Sequence, residues 1–162
     1  MIRAALFWFG LLLCLGVPAG LIVQKETLLS TGRVVLLPLA PVDPRSLMQG
    51  DYMDLRYRVA NDYTDAVGGE TEPAERGTLI VRLDEHGVAT FSRLDTGGPL
   101  DPAEQRLKYR NSHGSARFGA ESYFFEEGRA DYYATAKFGE LRVSERGDAL
   151  LAGLRDSDRN PL

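Results

Sequence analysis

Ser46 and the Gly50-Asp51 pair come nearest, by type and spacing, to residues that could perform catalysis. A serine shortly before a Gly-Asp corner would suit a serine-type periplasmic hydrolase that uses Ser46 and Asp51. A serine hydroxyl becomes nucleophilic only beside a base, and no lysine lies where a strand could present it. We therefore expect Ser46 to cap a turn through its own backbone. The protein is expected not to be an enzyme, with the hydrolase as the alternative.

The two aspartates of this region are expected to be structural. Asp51 follows a glycine at the start of a strand, where a carboxylate accepts backbone N–H bonds or pairs with a cation such as Arg45. A carboxyl group that faces a ligand is the alternative for Asp51. Asp43 precedes Pro44 and is expected to accept local amide bonds.

Tyrosine and arginine side chains form the best candidate for a binding surface. Tyr52, Arg56 and Arg58 fall on one side of an alternating segment, opposite its apolar side. Arginine and tyrosine are enriched at binding surfaces, so a protein or an anionic ligand is expected there. A solvated strand face with cross-strand ion pairs is the alternative. The residues of a later segment expected to join this surface are Arg117, Glu121 and Tyr123.

Metal and cofactor sites are not predicted. His86 and His113 lie in separate loops, and Cys14 is the only cysteine. A zinc site needs several such ligands at short spacing. Binding of an envelope glycan or lipid in the mouth of a barrel is a further alternative. It would use the tyrosines Tyr57, Tyr109, Tyr123, Tyr132 and Tyr133.

The segment that positions these residues is predicted to be a strand over about 51–59. Met53, Leu55, Tyr57 and Val59 alternate with polar residues, the period of a strand with one buried face. Residues 41–49 contain two prolines and are predicted to be irregular.

Two blocks of this chain resemble the bacterial GDYXXLXY protein family. The first block contains Asp43-Pro44-Arg45-Ser46-Leu47 and Gly50-Asp51-Tyr52-x-x-Leu55-x-Tyr57, and the second is residues 117–128. The resemblance implies a membrane-anchored protein with a periplasmic domain, encoded beside multi-pass membrane proteins, and it implies no reaction. The motif residues expected to be structural are Asp43, Pro44, Arg45, Ser46, Gly50, Asp51, Leu55 and Tyr57.

Residues 4–23 carry no charge. At about 1.5 Å per residue they span about 30 Å, the thickness of the hydrocarbon core of a bilayer. We predict an uncleaved anchor over 1–26, in contact with lipid through 4–23, followed by a domain over 27–162. A signal peptide cleaved near Val17-Pro18-Ala19 is the alternative. A lipoprotein that uses Cys14 is disfavoured because Leu13 is large.

Charge counts around the apolar run do not decide its orientation. From the short N-terminal tail and the family resemblance we expect the domain in the periplasm and the anchor in the bacterial inner membrane. The net charge is −4 and both signs are interspersed, which argues against a nucleic-acid surface.

The remaining pattern predicts a mainly β, or β-rich α+β, domain: a small barrel or sandwich with one short helix. A first strand is predicted over 33–39, with hairpins at 78–94 and 141–154. Further strands are predicted at 107–110 and 122–125, and a helix over 126–137 that Gly139 ends. Residues 61–77 are predicted to be a surface loop.

These features predict a non-enzymatic interaction module, and the family resemblance implies that it is accessory to a multi-pass inner-membrane protein. A membrane tether raises the effective concentration of the domain near such a partner, so a weak contact suffices.

Overall fold

The computed structural model of the protein describes residues 2–40, 48–49, 52–67, 74–112 and 114–162. It is strand-rich, with 40% strand and 29% helix, and its sheet curls into a half-barrel behind an N-terminal apolar helix. The predicted fold class is therefore confirmed.

The helices and strands, numbered in chain order over the described residues, are α1 (Ile2–Thr31), β1 (Arg33–Pro38), β2 (Met48–Gln49), β3 (Tyr52–Asp54), α2 (Arg58–Val67), β4 (Arg76–Leu83), β5 (Ala89–Leu94), β6 (Glu104–Ser112), β7 (Ser115–Arg117), β8 (Ser122–Phe124), α3 (Ala130–Tyr133), β9 (Phe138–Val143) and β10 (Ala149–Arg155).

Helix α1 extends beyond the uncharged run to Thr31. Among the described residues it is the one helix long and apolar enough, by length and composition, to cross a membrane. It leads into the domain with almost no linker, because Gly32 donates its N–H to the carbonyl of Leu28 (2.9 Å) and β1 begins at the next residue. The Arg33 guanidinium then donates to the carbonyls of Pro102 (3.1 Å) and Glu104 (3.2 Å).

Three antiparallel sheets contain the described strands, in the orders β1-β9-β10, β2-β3-β8 and β5-β4-β6-β7. The first and third sheets meet where Leu36 bridges Val88 and donates its N–H to the carbonyl of Gly87 (2.9 Å). A second bridge, between Leu39 and Tyr57, ties the first sheet to the segment that follows β3. These links curl the strands around one apolar core.

The core is built from the inward side chains of β1, β4, β6 and β9 and from one face of α2. Helix α2 packs against β1, β5 and β7 and buries Val59, Ala60 and Tyr63. Tyr63 lies in the centre, where its hydroxyl donates to that of Tyr109 (3.1 Å). Burial is the main reason that the pKa of Tyr63 lies well above its usual value.

Helix α2 corrects two predictions. The motif strand ends at Asp54 rather than at 59, and residues 61–67 are helical rather than a loop. Val59, Tyr63 and Val67 recur at a spacing of four, which places them on one side of a helix. Val59 also fits the alternation of residues 53–59, so it was assigned to the strand and the helical spacing was not recognised. The predicted burial of Met53, Leu55, Tyr57 and Val59 is nevertheless confirmed.

The helix predicted over 126–137 is wrong in its length, because α3 comprises only Ala130–Tyr133. Gly128 has a φ of +83°, which lies outside the right-handed helical region. Gly139 does not end a helix but lies within β9.

Both predicted hairpins are confirmed, as β4–β5 and β9–β10. Gly87 (φ +78°) and Gly147 (φ +87°) close their turns in the left-handed conformation, which glycine adopts at low cost. The predicted strands at 33–39, 107–110 and 122–125 correspond to β1, β6 and β8.

Candidate functional site

The two blocks that carry the family resemblance lie side by side. Strand β3 of the first block pairs with β8 of the second in antiparallel register. The paired residues are Tyr52 with Phe124, Met53 with Tyr123, and Asp54 with Ser122. A site assembled from both blocks therefore lies along this pairing and just beyond its end.

Beyond β3, Leu55 and Tyr57 join the two blocks through buried contacts, which we call the block junction. The N–H of Leu55 donates to the carbonyl of Glu121 (2.7 Å), and the hydroxyl of Tyr57 donates to the carbonyl of Ala120. The ring of Tyr57 also packs edge-on against Phe118, at 5.9 Å between centroids. Leu55 and Tyr57 are each 2% exposed, so these motif residues hold the fold together.

Gly139 makes room for the ring of Tyr57. A Cβ at this position would lie 2.9 Å from Cε1 and 3.1 Å from the hydroxyl oxygen of Tyr57. Burial first, and then the nearby charge of Glu121, raise the pKa of Tyr57 well above its usual value. The phenol is therefore neutral at physiological pH and keeps the proton with which it donates a hydrogen bond to the carbonyl of Ala120.

A cavity of about 320 Å³ opens beside the block junction. It brings together three of the predicted site residues, namely Arg56, Arg117 and Glu121. Asp54, Asn61, Ser112 and Ser115 add polar groups to its lining. The Glu121 carboxylate already accepts the N–H of Phe118, so within this cavity it positions the turn that precedes β8.

The outer side of the β3–β8 pairing carries the half-buried ring of Tyr52 and the exposed ring of Phe124. We call these two residues, together with the exposed Arg56 that follows β3, the aromatic face. The rings of Tyr52 and Phe124 lie 5.7 Å apart between centroids, and Phe124 is 74% exposed. Arg56 lies 3.9 Å from Asp54, with both side chains exposed. Such a surface ion pair stabilises the fold little, so Arg56 keeps its capacity to pair with another molecule.

The remaining predicted site residues lie elsewhere. Arg58 is exposed at the first position of α2. Tyr123 is on the opposite side of β8 from Phe124, and its ring packs edge-on against Tyr133 at 5.2 Å between centroids. Tyr52 and Tyr123 therefore do not share a surface, contrary to the grouping expected from the sequence.

Six motif residues, and the predictions made for them, lie outside the described residues. They are Asp43, Pro44, Arg45, Ser46, Gly50 and Asp51. The irregular segment predicted over 41–49 lies outside them except for Met48 and Gln49, which form β2. His113 and residues 68–73 of the predicted loop also lie outside.

Within the described ranges, no group of three or more His, Cys, Asp or Glu side chains is placed to hold a metal ion. His86 lies in the β4–β5 turn, where its Nε2 is 3.6 Å from the carboxylate of Glu85. The Asp84 carboxylate of this turn accepts the N–H groups of His86 and Val88, both at 2.8 Å. The bond from Val88 is the main reason that the pKa of Asp84 lies below its usual value.

Phe124 is the site residue that sequence reasoning missed. The strand predicted over 122–125 was not divided into two sides, although successive residues of a strand point to opposite sides. With Tyr123 directed toward the core, the same alternation turns Phe124 outward.

This architecture defines a class of protein: a strand-rich half-barrel that follows directly on one N-terminal apolar helix. The GDYXXLXY protein family matches residues 14–154, and the chain belongs to that family. The resemblance seen in the two blocks is thereby confirmed. Neither a curated protein nor a solved structure matches the chain.

Proposed function

We propose that this protein is a single-pass inner-membrane protein whose periplasmic domain acts as a non-enzymatic interaction module. Its partner is a multi-pass protein of the same membrane. The observation that carries this proposal is the aromatic face, in which the exposed Phe124 ring contacts Tyr52 at a tilt of 38° and Arg56 is also exposed. Aromatic and arginine side chains contribute most of the binding energy at many protein interfaces.

The attachment of the domain to α1 supports the membrane part of this proposal. The apolar side chains of α1 from Leu6 to Val23 are exposed to their surroundings. Because Arg33 is fixed to the start of β6 immediately after the helix, the domain is held close to the end of α1. Such tethering favours weak contacts with other proteins of the membrane.

Localisation is tested by labelling cysteines in intact cells. Ser157 lies in the turn that follows β10, and Cys14 is replaced by alanine to leave a single thiol. A membrane-impermeant maleimide is expected to label Ser157→Cys before lysis. Labelling only after lysis would place the domain in the cytoplasm.

Partner binding is tested by purifying the tagged full-length protein in mild detergent and identifying the accompanying proteins by mass spectrometry. A stoichiometric multi-pass membrane protein is expected with the parent chain. It should be lost with Phe124→Ser or Arg56→Gln and kept with Tyr132→Ser, which removes another exposed aromatic ring. Recovery of the parent protein alone would contradict the proposal, as would equal loss in all three variants.

A further inference from the structure

Three arginines form a row across one end of the four-stranded sheet. Arg76 of β4 pairs directly with Arg110 of β6, and Arg110 pairs with Arg117 of β7. Directly paired residues of antiparallel strands point to the same side, with Cα atoms about 5 Å apart. All three residues are exposed, and their Cα atoms span about 10 Å on one side of the sheet. We call these residues the arginine row.

Like charges placed directly opposite each other destabilise a sheet. Two other arginines of the same sheet have carboxylate partners. Arg93 lies 3.0 Å from Glu104, and Arg106 lies 2.8 Å from Asp95. None of the three residues of the arginine row lies within 4.0 Å of a carboxylate of the described residues.

The composition of the chain does not explain this concentration of positive charge. Acidic residues outnumber basic ones, 23 to 19. The arginine row is therefore an arrangement that costs stability in a chain with carboxylates to spare. A bound anion would offset that cost.

The arginine row lines a cavity of about 660 Å³. Its two other charged lining residues, Lys108 and Glu121, already have partners. The Nζ of Lys108 is 2.8 Å from the carboxylate of Asp148, and the carboxylate of Glu121 accepts the N–H of Phe118. Accepting an N–H leaves the negative charge of Glu121 in place, but none of the three guanidinium groups has a carboxylate of the described residues within 4.0 Å.

We propose that the arginine row binds a soluble ligand that carries two or more adjacent phosphate or carboxylate groups. Guanidinium groups bind such anions through two parallel N–H···O bonds. Three of them at intervals of about 5 Å suit neighbouring anionic groups better than a single one. The site adjoins the aromatic face, because Arg117 and Arg56 line the same cavity of about 320 Å³. Arg76 and Arg110 do not line that cavity, so substitutions at these two residues test the anion site separately from the proposed partner.

The position of the row favours a ligand from the aqueous phase over a lipid headgroup. Gln105 of β6 lines a cavity at the foot of α1, together with Lys25. Arg110 lies five residues further along the same strand, so it is about 17 Å from Gln105. The arginine row is therefore well removed from the end of α1.

The test uses tripolyphosphate as the probe and the full-length protein in non-ionic detergent. Isothermal titration calorimetry is expected to detect binding to the parent chain that weakens as salt is added. Arg110→Gln and Arg76→Gln should each weaken the affinity by about tenfold or more. The matched control is Arg146→Gln, which removes an exposed arginine of the β9–β10 turn and should change the affinity less than about twofold. No binding by the parent, or equal weakening by the control, would overturn the proposal.

A stability measurement separates this role from a structural one. Without the probe, Arg110→Gln should raise the Tm by up to about 4 °C, because it removes two like-charge contacts. Tripolyphosphate should raise the Tm of the parent chain but not that of the variant. A lower Tm for Arg110→Gln without the probe would assign the residue to the fold and overturn the proposal.

The source of the ligand is tested in lipid nanodiscs at 150 mM salt. Affinity for tripolyphosphate should be equal in phosphatidylcholine discs with and without phosphatidylglycerol. If phosphatidylglycerol weakens tripolyphosphate binding to the parent chain but not to Arg110→Gln, the ligand is a lipid headgroup. That result would overturn the proposal of a soluble ligand.

Discussion

The segment 52–57 contributes to two regions that differ in burial and in what they contact. At the block junction, Leu55 and Tyr57 are buried and bonded to the turn before β8. At the aromatic face, Tyr52 lies beside the exposed ring of Phe124, and the exposed Arg56 is 3.9 Å from Asp54 of the same strand segment. This difference shows that alternate residues of one motif have different structural roles. The buried ones assemble the domain, and the outward ones are left for another molecule.

The largest effect is expected from Leu55→Ala, which removes a fully buried side chain at the block junction. We expect the free energy of unfolding to fall by about 2–5 kcal/mol. Chemical unfolding of the full-length protein in detergent, followed by circular dichroism, measures this change. The control is Leu94→Ala, at a position 38% exposed, and it should cost much less. Equal losses would mean that Leu55 is not part of the core.

Gly139→Ala is expected to cost about 1–3 kcal/mol, because the new methyl group overlaps the ring of Tyr57 and displaces it from Ala120. Gly153→Ala in the neighbouring strand is the matched control, since a Cβ there has no neighbour within 4 Å. If both variants unfold alike, close packing between Tyr57 and β9 is contradicted.

Tyr57→Phe deletes one buried hydrogen bond and leaves the carbonyl of Ala120 without its donor. The expected cost is about 1–2 kcal/mol at pH 8. A second substitution at Phe118 should not restore the stability of the parent chain, because the Phe118 ring only packs against Tyr57.

The same residue makes stability depend on alkaline pH. Since the pKa of Tyr57 is raised in the folded state, its contribution is fully present below the usual tyrosine pKa of about 10 and declines as the pH rises above it. Between pH 8 and pH 11, the stability difference between the parent and Tyr57→Phe should shrink by about 1 kcal/mol. A constant difference across this range would show that the phenol titrates normally.

The smallest effect on folding is expected at the aromatic face. Phe124→Ser and Arg56→Gln should each change the free energy of unfolding by no more than about 0.5 kcal/mol. Thermal unfolding checks this directly. A loss as large as that of Gly139→Ala would make the aromatic face part of the fold and remove the distinction between the two regions.

Much of the fold was predictable because its signals are local. The two hairpins follow from turn glycines between apolar runs, and the burial of Leu55 and Tyr57 follows from alternation. Helix α2 was missed because Val59 fits two patterns. It continues the alternation of the extended segment before it, and it also begins the helical spacing of the residues after it. The helix over 126–137 was overestimated because its charge pattern is helical, whereas the backbone of Gly128 is not.

The candidate site was predicted only in part, since its assembly depends on contacts distant in sequence. Arg56, Arg117 and Glu121 meet because β3 pairs with β8, and residue types alone do not specify that pairing. Phe124 lies on the outer surface where Tyr123 was expected, because the inward side of β8 is set by its partner strand. The arginine row is visible only once the register of β4, β6 and β7 is known.

Photocrosslinking in living cells tests the central distinction most directly. A benzoylphenylalanine placed at position 124 should crosslink to one multi-pass membrane protein, whereas the same residue at position 132, also exposed, should not. That result would identify the aromatic face as the partner surface. The absence of a crosslink at 124, or equal crosslinks at both positions, would contradict it.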